Sequence, residues 1–247
     1  MLKSIIKELF HSMGYEITQK RLFPVVSQEV SGFSMAEGLK RSRGRNIDIA
    51  SVIDVGASDG RWSEGCMVHY PHARYLLIEA QQAHEEGLRA FKTRYAKADY
   101  IIAAAGSQQG EIYFDNSDLW GGLAMEEATS DNLIKVPVTS IDHEVAQRKL
   151  QPPYLIKLDT HGYEVPILEG ARETLRHTNL IVMEVYNFQI AKNSLRFWEM
   201  CAYMEKLGFL PIDMADFTHR KKDNSFWQMD IFFARSDRPE FSFKDYA

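Results

Sequence analysis

The sequence predicts a doubly wound α/β fold on a mostly parallel sheet, and three observations carry that prediction. From Ile47 onward, short continuous apolar runs alternate with helix-length segments, the pattern of parallel strands covered on both faces by crossover helices. One of those runs ends in a glycine-containing turn that opens directly into a helical segment. After Gly208, two last runs are separated only by a polar loop with no room for a crossover helix, which predicts a terminal antiparallel hairpin at the sheet edge.

Taken in order, Leu2, Ile5, Ile6, Leu9 and Met13 recur at helical spacing, and Gly14 is placed to end that helix. Docking on the main domain is the expected use of its apolar stripe, with a membrane-surface contact through Lys3 and Lys7 as the alternative. The basic run Leu39 to Arg45 reads as a helix end, with phosphate contact as the alternative. Strands are expected at Ser51 to Val55, Tyr75 to Ile78, Tyr100 to Ala104, Tyr154 to Leu158 and Leu180 to Val185. Helices are expected around Trp62 to Tyr70, His84 to Tyr95, Val165 to Arg176 and Leu195 to Leu207. Ile112 to Phe114 and Ile134 to Val138 read as extra strands of an inserted cap around Asp118, Leu119, Trp120, Gly121 and Gly122. Phe209 to Ile212 and Trp227 to Ala234 form the hairpin. No repeat or low-complexity linker interrupts the chain, so the expected organisation is an N-terminal helical cap over residues 1–46 and one domain over 47–247.

Composition narrows the function classes. Of 247 residues 45% are apolar, enough for a substantial core, and the net charge of -5 argues against bulk attraction to nucleic acid. Cys66 and Cys201 are too few for a disulfide scaffold and lack zinc-ligand spacing. Lys3, Lys7 and Glu8 interrupt the first apolar residues, so no signal-peptide core is present, and no run reaches the ~18 residues of a membrane span. A cytoplasmic location is expected; the oligomeric state is left open.

The sharpest motif is Ser51-Val-Ile-Asp54-Val-Gly56-Ala-Ser58-Asp59-Gly60-Arg-Trp62. Glycines at 56 and 60 let the backbone approach a ligand, and the adjoining helix start offers unpaired N–H groups. The spacing breaks the G-x-G-x-x-G of dinucleotide sites, and Asp54 and Asp59 suit a ligand with cationic groups and hydroxyls, such as S-adenosylmethionine. Glu79, at the end of the next strand, is expected to accept hydrogen bonds from a ribose. Asp159 and His161 follow the strand Tyr154 to Leu158, and Glu184 and Tyr186 lie at the end of the strand after it, so four polar groups converge on the edge that carries the glycine loop. Packing alone does not explain them, because buried carboxylates without partners are costly.

Together these residues resemble the FkbM-type S-adenosylmethionine-dependent methyltransferases, from about Ile53 to Phe233. The resemblance is carried by Asp54-Val-Gly-Ala-Ser-Asp-Gly60-Arg-Trp62, Leu77-Ile-Glu79 and Val136-Pro-Val-Thr-Ser-Ile-Asp142. It continues in Ile156-Lys-Leu-Asp159-Thr-His-Gly162-Tyr-Glu164, Leu168-Glu-Gly170-Ala171 and Asp230-Ile-Phe-Phe233. It implies a class I methyltransferase (Rossmann-like) fold, a seven-stranded sheet ending in an antiparallel hairpin, and methyl transfer usually to oxygen. It also implies that Asp54, Gly56 and Gly60 hold the methionine part of the cofactor and Glu79 its ribose. Ser58, Ala104 and Asp159 complete the expected cofactor contacts. Two departures stand out: Ser58 occupies a position that is glycine in many methyltransferase loops, and His161 stands where the family often has Glu or Gln, which leaves the catalytic assignment open.

His161 is the leading general base, because an imidazole accepts a proton at neutral pH, and Asp159 orients it or acts itself. A loop histidine without a role is the plain alternative. Trp120, Glu184 and Tyr186 are the expected acceptor contacts, with packing of the cap as the other reading of Trp120. No resident metal is expected; Mg²⁺ on Asp159, Glu184 and Asp230 is the less favoured addition. The acceptor is a small molecule or glycan, with a hydroxyl of a saccharide or secondary metabolite implied by the resemblance. The competing functions are a non-catalytic binding protein that retains the cofactor fold and a nicotinamide-dependent dehydrogenase.

Overall fold

A computed structural model of the chain describes residues 32–128 and 132–246. The helix expected over Leu2 to Met13 lies outside the described residues.

Seven strands form the main sheet. In chain order they are β1 (Ser51–Val55), β2 (Arg74–Glu79), β3 (Ala98–Ile102), β8 (Tyr154–Leu158), β9 (Thr178–Tyr186), β10 (Phe209–His219) and β11 (Phe226–Arg235). Their spatial order is β10-β11-β9-β8-β1-β2-β3. The five strands from β3 to β9 run parallel, and β11 joins antiparallel to both β9 and β10. This is the class I methyltransferase arrangement, and the terminal hairpin is in its predicted place. A second sheet, in the order β4-β7-β5-β6, contains β4 (Ala104–Ala105), β5 (Gly110–Asp115), β6 (Leu123–Met125) and β7 (Ile134–Thr139). The single run expected over Tyr100 to Ala104 is thus divided between the two sheets.

Strand alternation builds two cores, one on each face of the main sheet. Ile53, Val55, Leu76, Ile78, Ile156, Leu158, Ile181 and Met183 bury one face. They pack under α4 (Ile141–Arg148), α5 (Glu164–Glu169), α6 (Arg172–Leu175) and α7 (Phe197–Lys206). Val52, Tyr75, Leu77, Leu155, Leu180, Val182 and Phe232 bury the other under α1 (Met35–Gly44), α2 (Arg61–Met67) and α3 (Glu85–Arg94). The helix expected from Val165 to Arg176 is broken at Gly170, where a Cβ would lie 2.1 Å from the Gly106 carbonyl oxygen. β10 extends to His219, well past the expected Ile212, because pairing with β11 continues along an exposed edge.

The compact unit that holds the sheet begins at Gly32. Ser34 caps α1, its Oγ accepting from Glu37 N, and the helix lies so close to the sheet that a Cβ on Gly38 would meet the Phe232 ring at 2.5 Å. The basic run is the end of this helix. Arg41 and Arg45 donate to the Asp213 carboxylate on β10, and Arg43 pairs with Asp48, so these side chains are engaged within the protein instead of being held free for phosphate.

Candidate functional site

β1, β2 and β8 all point their carboxyl ends at one cavity, and the second sheet closes its far side. It encloses about 610 Å³ of empty space, part of it open to solvent. Val55 and Gly56 line it from β1, Glu79 and Gln81 from β2 and the loop after it, and Asp159, Thr160 and His161 from the end of β8. Phe114, Trp120 and Gly122 line it from the second sheet and its loop, and Ala104 forms part of the floor.

The loop after β1 is shaped by close approach. Gly56 has φ +74°, and a Cβ there would lie 2.0 Å from the Asp159 carbonyl oxygen, so only glycine lets this loop cross the end of β8. Glu79 ties the loop down: one carboxylate oxygen accepts from Ser58 N at 2.7 Å, the other from Gln81 N at 2.8 Å. The remaining lone pairs of this buried carboxylate are available on the cavity side. Gly60, at φ +89°, caps α2.

Asp54 is not on the cavity wall. Alternation turns its side chain to the α2 face, where it is completely buried and accepts from Ser63 Oγ at 2.7 Å. Burial pushes its carboxyl above the usual range, against the charge of Lys157 and the Ser63 hydrogen bond. The predicted direct contact with a ligand is therefore replaced by a place behind the loop.

Lys157 connects the parts. Its register opposite Asp54 puts both side chains on one face. Its buried ammonium lies 3.0 Å from Asp159 Oδ2, 3.4 Å from the Gly56 carbonyl oxygen and 3.7 Å from Asp54 Oδ1. Burial alone would lower its pKa, but Asp159 and Asp54 outweigh that and raise it. Asp159 is likewise pushed up by burial but held low overall by Lys157 and His161. Lys157 does not belong to the strand-end pattern; its signal in the sequence is a charge in the middle of an apolar run.

β8 and β9 pair Leu158 with Met183, so one residue further on Asp159 comes level with Glu184. His161 joins them from a turn in which it has φ +51° and Gly162 φ +100°. Glu164 braces that turn by accepting from Gly162 N and Thr160 Oγ1. His161 Nε2 is 3.7 Å from Asp159 Oδ1 and 3.7 Å from Glu184 Oε2. Glu184 also accepts from the Tyr186 hydroxyl and the Gln228 amide. Burial, then the Asp159 charge, pushes the Glu184 carboxyl up to about 8. Asp230, opposite Glu184 in the ladder, is pushed up to about 7, again mainly by burial.

The three expected acceptor contacts do not form one surface. Glu184 and Tyr186 gather around His161. Trp120 is at the Glu79 end of the cavity, tilted against His84 with ring centroids 5.3 Å apart and covered by the Arg61 guanidinium at 4.5 Å. Gln81 fastens its loop by donating to the carbonyls of Asp118 and Leu119.

A family model, the methyltransferase FkbM domain, matches residues 54–211. The chain belongs to the FkbM methyltransferase family. The matched stretch holds the glycine loop, Glu79, Lys157, Asp159, His161 and Glu184. A methyltransferase FkbM from Methylobacillus flagellatus KT is similar in structure, with 16% identity and a TM-score of 0.50, over 74% of this chain and 43% of that one. The chain thus spans less than half the length of that relative. A Burkholderia thailandensis 1,6-didemethyltoxoflavin-N1-methyltransferase, solved with 1,6-didemethyltoxoflavin and S-adenosylhomocysteine, aligns at 11% identity and a TM-score of 0.47, over 96% of this chain and 88% of that one. No curated protein sequence matches the chain significantly. Among the described residues no helix is long and apolar enough to cross a membrane.

Proposed function

We propose that this FkbM-family methyltransferase uses S-adenosylmethionine to methylate a hydroxyl of a small molecule or glycan, a saccharide or secondary metabolite. The observation that carries the reading is the convergence on one cavity of the Gly56 loop, Glu79, Asp159 and His161. The donor is a sulfonium with an ammonium group, so acidic groups favour its binding. Glu79 accepts from the ribose hydroxyls with the lone pairs its two backbone donors leave free. Gly56 lets the loop backbone lie against the methionine portion, Ser58 N tied to Glu79 and Gly60 packed against Phe91 hold that loop in place, Asp159 faces the ammonium, and Ala104 contributes apolar floor. Asp54 acts through Lys157 and the loop, as a positioning residue.

Methyl transfer from sulfur to oxygen is an in-line displacement. The acceptor oxygen gains the methyl, sulfur keeps the bonding electrons, and the hydroxyl proton leaves to a base. Alignment supplies much of the acceleration. His161 takes the proton at Nε2, with Asp159 Oδ1 beside it to stabilise the imidazolium that forms. Glu184 and Tyr186 face the acceptor at this end, whereas Trp120 flanks the nucleoside end. Calorimetric titration tests the reading: binding of S-adenosylmethionine and none of NAD is expected, and absence of the former removes it. Comparing metabolites and glycans of cells with and without the protein by mass spectrometry, for gain of one methyl group, identifies the acceptor.

A further inference from the structure

We propose that Asp159, His161 and Glu184 form a site for a divalent first-row transition cation at the His161 end of the cavity. One donor atom from each residue lies within 4.8 Å of the other two. The two separations of 3.7 Å from His161 Nε2 to the carboxylate oxygens are too long for hydrogen bonds. They are the separation of two ligands on one ion: donor atoms about 2.1–2.2 Å from a metal and about 115–125° apart lie about 3.7 Å from each other.

The surrounding groups hold these donors as metal ligands are usually held. Lys157 engages Asp159 Oδ2 at 3.0 Å and leaves Oδ1 to face His161. The Tyr186 hydroxyl and the Gln228 amide fix the Glu184 carboxylate, and Glu164 braces the turn that carries His161. The carboxyl groups beside the site add a second observation. Asp54, Asp159, Glu184 and Asp230 share one face of neighbouring strands or their ends with a single ammonium, that of Lys157. Asp230 sits buried directly across from Glu184 with no hydrogen bond or ion pair among the described residues.

An imidazole with two carboxylates suits Mn²⁺, Co²⁺ or Zn²⁺, whereas Mg²⁺ and Ca²⁺ select oxygen donors alone. Three protein ligands leave positions open toward the cavity that Asp159 and His161 line, where an oxygen of an acceptor would complete the coordination. A cation on Nε2 takes the lone pair that proton transfer needs, so occupancy and general-base action of His161 exclude one another. The site does not depend on the methyl donor.

The test is Mn²⁺ titration of the full chain, followed by electron paramagnetic resonance, without S-adenosylmethionine. One Mn²⁺ per chain is expected, with a nitrogen coupling in its spin-echo modulation. His161→Ala should remove the coupling and weaken binding about tenfold or more, and Glu184→Gln should weaken it similarly. Asp223→Asn, in an exposed pair with Arg220, should change neither. Circular dichroism checks folding; should Glu184→Gln fail to fold, His161→Ala on its loop decides alone. Absence of Mn²⁺ binding at millimolar concentration, or binding and coupling that survive His161→Ala, overturns the proposal. A protein that binds Mn²⁺ but not S-adenosylmethionine refutes the methyl-donor reading alone, and the reverse refutes the cation site alone.

Discussion

Lys157→Met should destabilise the protein and loosen the cavity in one step. The methionine keeps most of the side-chain volume but removes the ammonium from between Asp54, Asp159 and the Gly56 carbonyl. Removing one partner of a buried pair costs about 3–5 kcal/mol. Two features bring the value to the lower end. The Asp159 side chain is 36% exposed and regains water, while Asp54, completely buried, is already pushed up and takes a proton. A loss of about 3 kcal/mol at roughly 2–4 °C per kcal/mol for a chain of this size lowers Tm by about 6–12 °C. The pH dependence identifies the cause. Without Lys157 the Asp54 pKa rises further, so the variant's folded state holds a proton that the unfolded chain releases above about pH 4. The variant therefore loses stability as pH rises from about 4 through that folded value. The parent shares this loss up to its own raised Asp54 value, so the variant's deficit grows above that value and narrows as pH falls toward it. Thermal and urea unfolding across this range measure it, and adding Asp54→Asn should restore part of the loss. A neutral-pH Tm within about 2 °C of the parent, or a deficit independent of pH, would refute the reasoning.

Gly56→Ala places a Cβ 2.0 Å from the Asp159 carbonyl oxygen at φ +74°, and should cost about 2–4 kcal/mol in urea unfolding and abolish cofactor binding in calorimetry. Asp213→Asn should cost about 1–3 kcal/mol, because Arg41 and Arg45 both donate to a carboxylate that is only 9% exposed. Burial pushes Asp213 up, but those hydrogen bonds outweigh it and hold the folded pKa low. Its contribution is thus full above about pH 4 and lost as pH falls through the folded value, so parent and variant should converge in acid unfolding curves. With an acceptor in hand, His161→Ala in cation-free buffer should slow methyl transfer about 10²–10⁴-fold while leaving S-adenosylmethionine affinity nearly unchanged; full turnover would remove His161 from proton transfer.

The parallel strands were legible because Ser51–Val55 and Tyr154–Leu158 are largely apolar runs, each broken by one charged residue, as a sheet covered on both faces requires. The convergence of Gly56, Glu79, Asp159 and His161 followed from strand ends alone. What escaped depended on partners distant in sequence. Lys157 sits inside a strand, and its role appears only when β1 lies beside β8. Trp120 is positioned by the pairing of β5 with β6 and by Gln81, neither of which leaves a local pattern. α4 was missed because it is short and buries little beyond Ile141 and Glu144, and the break at Gly170 arises from contact with Gly106. Asp54 was placed on the cavity as an acidic residue beside a glycine loop, although alternation with Ile53 and Val55 already turned it to the opposite face from theirs.

Isothermal titration of the purified full chain with S-adenosylmethionine, with Glu79→Ala and NAD as controls, tests the central claim most directly. The account predicts one site per chain for S-adenosylmethionine, its affinity reduced in Glu79→Ala, and no heat from NAD. No binding of S-adenosylmethionine to the folded parent protein would contradict it.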